Sequence, residues 1–209
     1  TKNPEEKPYF LTNQSAGSFN TFKHSFEAGT GKFLNNLLSV SARYSIINSD
    51  GYIDRAFSKL NSYNINALFE KGNTKLRFLT FGGKEKTYQA WNGIDKATYE
   101  SNPKFNYSGA IYDANWENII GFYDNETDNY RQNHYHLLWE QKLGKIWNLE
   151  TTFHLTHGEG YYENYKQDAK FSKYDLPNIV ENGNTITRTD FIRKKWLDND
   201  FYGVVSNLY

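Results

Sequence analysis

Three histidines, His134, His136 and His154, are the residues whose type and spacing most invite chemistry. Imidazoles held across neighbouring strands can ligate a metal ion. Spacing fixes no third ligand, so the same rings serve equally as polar wall residues bonded to water, and no metal is expected. Asp124, Glu126 and Asp128 alternate as in a calcium loop but lack the sixth-position glycine and distal bidentate glutamate of an EF-hand; they read as a solvated turn. Glu159 and Glu163 could be imagined as a glycosidase pair, yet nothing fixes their separation. With no Ser/His/Asp context, no phosphate-cradling glycine loop and no cysteine, the sequence supports no catalytic assignment and no cofactor. The aromatic residues say more. Tyr88, Trp91, Trp116 and Tyr123 stand with Asn92 among many Asn and Asp in the segment 87–130, and Tyr161 and Tyr162 open the segment 160–195. Rings beside amides and carboxylates suit stacking on sugars or chelate aromatics, with the polar groups fixing orientation. They suit equally well a long loop folding on itself.

Composition narrows what could position these residues. Among 209 residues, Lys plus Arg is 24 and Asp plus Glu is 24. No positive field gathers phosphates, which argues against nucleic acid as a partner. No apolar run approaches the roughly 18 residues of a transmembrane helix, and Thr1-Lys2-Asn3-Pro4-Glu5-Glu6 is not a signal peptide. Aromatic residues reach 18% of a chain that is only 38% hydrophobic, and they are interleaved with polar ones. Such interleaving belongs to a β-protein with one apolar and one polar face, or to a membrane β-barrel. The chain has no methionine and begins as if mid-protein, so a fragment or processed chain is expected.

The interleaving has a period of two. From Leu38 to Ile46, Leu, Val, Ala, Tyr and Ile fall on one face and Ser, Ser, Arg and Ser on the other; Trp147 to His157, Tyr135 to Lys142 and the segment 62–70 repeat the pattern. About seven strands follow, near 18–29, 37–49, 58–71, 74–86, 131–143, 147–159 and 196–209. Their connections of about 7, 8, 2, 44, 3 and 36 residues place tight turns at one end of an antiparallel sheet and long loops, about 87–130 and 160–195, at the other. Gly72-Asn73 signals a two-residue hairpin and Gly144-Lys145-Ile146 a three-residue one. The latter sets Leu143 against Trp147, Trp139 against Thr151, Leu137 against Phe153, Tyr135 against Leu155 and His136 against His154. A turn one residue shorter would mix the faces.

Strands of about 12 to 14 residues exceed the usual soluble length of about 5–6 and suffice to cross a bilayer. Length and loop asymmetry favour an all-β, up-and-down, antiparallel sheet forming part of a transmembrane β-barrel, with short periplasmic turns and long extracellular loops. Arg43, Asn64, Asn66, His136, Glu140, Glu150 and His154 would face its lumen. Trp139 and Trp147 fall toward the short-turn end of the outer face, Tyr135 further up and Tyr44 near the loop end, as rings at two water–lipid boundaries would. The alternative is a soluble or cell-surface carbohydrate-binding or adhesive β-sandwich whose core is the same apolar face.

Several segments resemble TonB-dependent outer-membrane receptors of the Bacteroidetes: Phe81 to Gly93, Asp113-Ala114-Asn115, Tyr123 to Tyr130, Asn133-His134-Tyr135, His157 to Glu163, Arg193 to Gly203 and Ser49 to Arg55. The likeness covers most of the chain from about residue 18, in the family's order. It implies a 22-stranded barrel enclosing a plug, located in the bacterial outer membrane, that imports a chelate, cofactor or glycan with energy passed through TonB. The departures matter. No plug, TonB box or closing strand ending in Phe can be placed, so the whole chain 1–209 is expected to be a barrel segment. Its implied partners are the rest of the barrel, the plug, TonB through that plug and outer-membrane lipid, with a surface lipoprotein left open.

Overall fold

The computed structural model describes residues 3–209, which hold twelve strands. They are β1 (Pro8–Gly17), β2 (Thr21–Phe33), β3 (Leu38–Ser49), β4 (Ser58–Lys71), β5 (Thr74–Tyr88), β6 (Ala110–Tyr112), β7 (Ile119–Phe122), β8 (Thr127–Leu143), β9 (Trp147–Lys170), β10 (Ile179–Glu181), β11 (Asn184–Ile186) and β12 (Arg188–Leu208). One sheet runs β1-β2-β3-β4-β5-β8-β9-β12, antiparallel throughout; β6–β7 and β10–β11 are small hairpins inside two of its connections. The short helix α1 (Lys96–Ser101) starts where Asp95 accepts the Thr98 amide at 3.0 Å.

The sheet has eight strands where the alternation gave seven, because β1 pairs along its length with β2, from Pro8 with Thr30 to Gly17 with Thr21. It is also taller than read. β9 runs on to Lys170 and β12 begins at Arg188, so much of the segment 160–195 is paired strand. The β8–β9 register is the one the alternation demanded, with Leu137 on Phe153, Trp139 on Thr151 and His136 on His154. Gly72, at φ 57, takes the first position of the two-residue β4–β5 turn, a left-handed backbone conformation that glycine adopts without strain. Turns 34–37, 72–73 and 144–146 share one end of the sheet, while 18–20, 50–57, 89–126 and 171–187 share the other.

Register sorts the side chains into two faces. Val40, Ala67, Phe78, Leu137, Phe153 and Val204 form one row of the apolar face, and Ala42, Ile65, Thr80, Tyr135, Leu155 and Tyr202 the next. The expected wall residues share the opposite face, where Arg43 pairs with Asn64, His136 with His154, and Glu140 with Glu150. Exposure is inverted relative to a protein folded for water. Phe78 is 43% exposed, Leu137 41% and Phe153 43%, whereas Ser45 and Asn66 on the polar face are at 5%. Among the described residues the only buried apolar side chains are Leu68, Leu79, Tyr88 and Phe171. A sandwich must bury an apolar face between its layers. Here that face is the open one, and Trp139, Trp147, Tyr44 and Tyr135 stand exposed with it.

Candidate functional site

Beyond the apolar rows, the connections at the long-loop end are too polar to make a core, so their backbone groups must be satisfied by side chains. A buried amide network does this. Gln89 donates to the carbonyls of Thr127 at 3.2 Å and Glu163 at 2.9 Å, and accepts from Asn164 at 2.9 Å. Asn164 also reaches Glu126 at 2.9 Å, and the second oxygen of Glu126 accepts the Tyr165 amide at 2.8 Å. Asn106 donates to the carbonyls of Gln89 at 2.9 Å and Asp54 at 3.1 Å, tying the 50–57 loop into the same knot. Arg55 bonds the Asn106 carbonyl and lies over the Phe122 ring, 3.6 Å from its centroid.

Glu163 is the charged centre of the knot, only 3% exposed. One oxygen accepts from the Tyr123 hydroxyl at 2.5 Å and Asn125 at 2.6 Å, and the other lies 3.4 Å from the Lys194 ammonium. Burial opposes its charge, but the bonds from Tyr123, Asn125 and Lys194 prevail and hold its carboxyl below the ordinary 4.5. Burial first, then the bond to Glu163, pushes Tyr123 up to about 12. Because the folded Glu163 has the lower pKa, its contribution is complete above about pH 4.5 and is lost as pH falls through the folded value. Amide protection of residues 89–126, followed by hydrogen exchange, should therefore hold from neutrality to about pH 4.5 and fall below it.

The structure separates the aromatic candidates. Tyr88 is a buried strut: it is 4% exposed, and its hydroxyl lies 3.0 Å from the Ser108 carbonyl and 2.7 Å from that of Tyr123. Tyr123 is likewise engaged, through Glu163 and through stacking on Tyr165 at 5.6 Å. Trp91 remains 59% exposed beside exposed Asn92, edge-on to Tyr162 at 5.4 Å, with Lys195 over the Tyr162 ring. Tyr161 packs on Trp196 at 4.5 Å. Trp116, 52% exposed, stacks on Tyr112 at 5.7 Å. Those two rings help to line an open cleft of about 540 Å³ with Tyr165, Tyr174, Lys166 and Lys173. Gln167 holds the cleft's far wall by bonding both the amide of Tyr112 at 2.8 Å and its carbonyl at 2.7 Å, as a neighbouring strand would. Burial and the nearby charges of Arg193 and Lys173 lower the Lys166 pKa. Tyr165 and Tyr174 belong to the loop aromatics the sequence offered, but Lys166, Gln167 and Lys173 were not among its candidates; the signal available for them was only a lysine-and-tyrosine-rich stretch from Tyr161 to Tyr174.

No family model and no curated protein matches the chain in sequence. In structure it is similar to the ferric-catecholate import receptor Fiu of Escherichia coli K12 in its closed form, with a TM-score of 0.63. The chain has the fold of part of a receptor barrel. The match covers 100% of this chain at 12% identity and spans 29% of that receptor's length. It supports the receptor-barrel fold and not the narrower Bacteroidetes kinship. On that wall, His134 stacks on Phe81 at 4.4 Å and shares a 2.8 Å bond with Thr156, while the His136 and His154 rings stand 6.3 Å apart.

Proposed function

We propose that this chain is a stretch of the wall and outer rim of a TonB-dependent outer-membrane receptor that takes up a scarce chelate, cofactor or glycan. The observation that carries the reading is the inverted exposure of the sheet: its open face is a band of Phe, Leu, Ile, Trp and Tyr, and its sheltered face holds Ser, Asn, Arg and His. A bilayer satisfies the first, and a wet lumen holding a plug satisfies the second. From Trp147 to the level of His157 the band spans about 33 Å of strand at 3.3 Å per residue. Tilted by about 45°, this covers about 23 Å of membrane, close to the roughly 25 Å of outer-membrane barrels. The bare edges of β1 and β12 are where further wall strands would pair. Arg43, Asn64, Asn66, His136, Glu140, Glu150 and His154 would then meet plug or water, and energy from TonB would arrive through the plug.

In this reading the ligand is first met at the rim by Trp91, Asn92 and Tyr162 and in the cleft beneath Trp116. A ferric catecholate is the first probe, since the similar receptor imports that class; cobalamin and an oligosaccharide are the comparisons. Replacing Trp116 and Lys166 together with Ala in the full receptor should reduce uptake of the accepted probe about tenfold or more at limiting concentration, consistent with loss of about 1–3 kcal/mol from stacking and a charged contact. Surface levels should be unchanged. Undiminished uptake would remove the cleft from the ligand's route.

A further inference from the structure

We infer that the outer face carries, just above the apolar band, a site for the phosphate of a lipid headgroup. Register sets Lys59 directly against Lys86, and Lys84 directly against Arg131, on the face that bears Ile65, Phe78 and Leu137. Like charges placed opposite one another weaken a sheet, and here two such pairs stand side by side on β4, β5 and β8. Arg131 is answered by Glu159 on β9. The three lysines are not answered by carboxylates. Lys86 donates to Asn125 at 2.8 Å, Lys59 lies over the Phe57 ring at 5.4 Å, and Lys84 has no ion pair among the described residues. The patch is bounded. Along the same row β3 offers Ile46 and β2 His24, while beyond Arg131 the row turns acidic with Glu159 and Asp198.

Its height selects the ligand. Lys84 is six residues above Phe78 in the middle of the band, so it stands about 20 Å along the strand and about 14 Å along the membrane normal. Half of the roughly 25 Å apolar band of an outer-membrane barrel is about 12 Å. The ammonium groups therefore meet the headgroup layer of the outer leaflet, with a lipid's chains lying over Ile65, Phe78 and Leu137 below. A soluble anion would gain nothing from those residues, and this continuity of charge with apolar surface is what commits the site to a lipid.

The inference rests on the membrane reading, and its test keeps the two apart. The full-length protein, extracted in mild detergent, is mixed with bisphosphorylated lipid A or with the same lipid after phosphatase treatment, and retained lipid is counted by native mass spectrometry. The phosphorylated form should be retained, and retention should weaken in 0.5 M salt. The K59Q/K84Q/K86Q variant should lose at least tenfold, from about fivefold per lysine, while the triple arginine variant keeps it. Equal retention of both lipids, an unaffected glutamine variant, or displacement by millimolar inorganic phosphate would overturn the lipid site. If the protein instead remains monomeric and folded without detergent, the membrane reading itself fails.

Discussion

Arginine in place of Phe153 is expected to destabilise the folded, bilayer-inserted protein by about 2–4 kcal/mol, the cost of a cation near the midplane on the lipid face of a barrel. Phe153 is 43% exposed on the apolar face, between Leu137 on β8 and Val204 on β12. An arginine there can neither pair nor reach water without distorting the lipid. At Thr152, one residue away and on the opposite face, the same substitution should cost less than about 1 kcal/mol, because the side chain enters a wet interior. Urea titrations of refolding into phospholipid vesicles would measure both. Equal costs at the two positions would mean that the faces have been assigned wrongly. A large cost at Thr152 alone would invert them.

The second large effect concerns Glu163. Replacing it with Ala leaves the Tyr123 hydroxyl, the Asn125 amide and the Lys194 ammonium without their common partner in a site that is only 3% exposed. Lys194, whose side chain is 43% exposed, regains water, but the Tyr123 and Asn125 donors are left unpaired, at about 1–3 kcal/mol each. That loss should fall on the loop rather than on the wall, since residues 89–126 meet β9 through this knot while β3, β4 and β5 are held by their own ladders. Hydrogen exchange should show fast amides across 89–126 with β3–β5 unchanged. Glu163→Gln keeps the acceptor geometry and should lose less, about 1–3 kcal/mol. Uniform loss of protection across the sheet would show that loop and wall unfold together.

What could be read from the sequence depended on where each strand lies relative to the apolar band. The β8–β9 register was legible because Tyr135, Leu137 and Trp139 alternate against His136, Leu138 and Glu140, and a slip of one residue would exchange the faces. β1 was not legible. It is an edge strand whose Tyr9, Phe10 and Leu11 put bulk on both sides, so no period emerges. The upper part of β9 and the Arg193-Lys194-Lys195 stretch of β12 stand above the apolar band, where both faces are polar and alternation carries no signal. At the rim, sequence supplied the rings but not their fates. Tyr88 and Trp91 are three residues apart in similar company, yet one is a buried strut and the other is exposed. What divides them is the cluster Gln89, Asn106, Glu126 and Asn164, whose members look like any loop amides until they meet.

The two-residue alternation has one more consequence, for the history of the molecule before it folds. No stretch of it is greasy enough to be stopped in a lipid layer as a single helix, because every apolar side chain is diluted by a hydrophilic neighbour. Only when the strands zip together do the alternate residues of many segments merge into one continuous oily surface. In a receptor wall of the kind proposed, affinity for lipid would thus be manufactured by pairing and carried by no segment alone, so that a nascent chain could pass one bilayer unarrested and acquire its attachment to another on assembly.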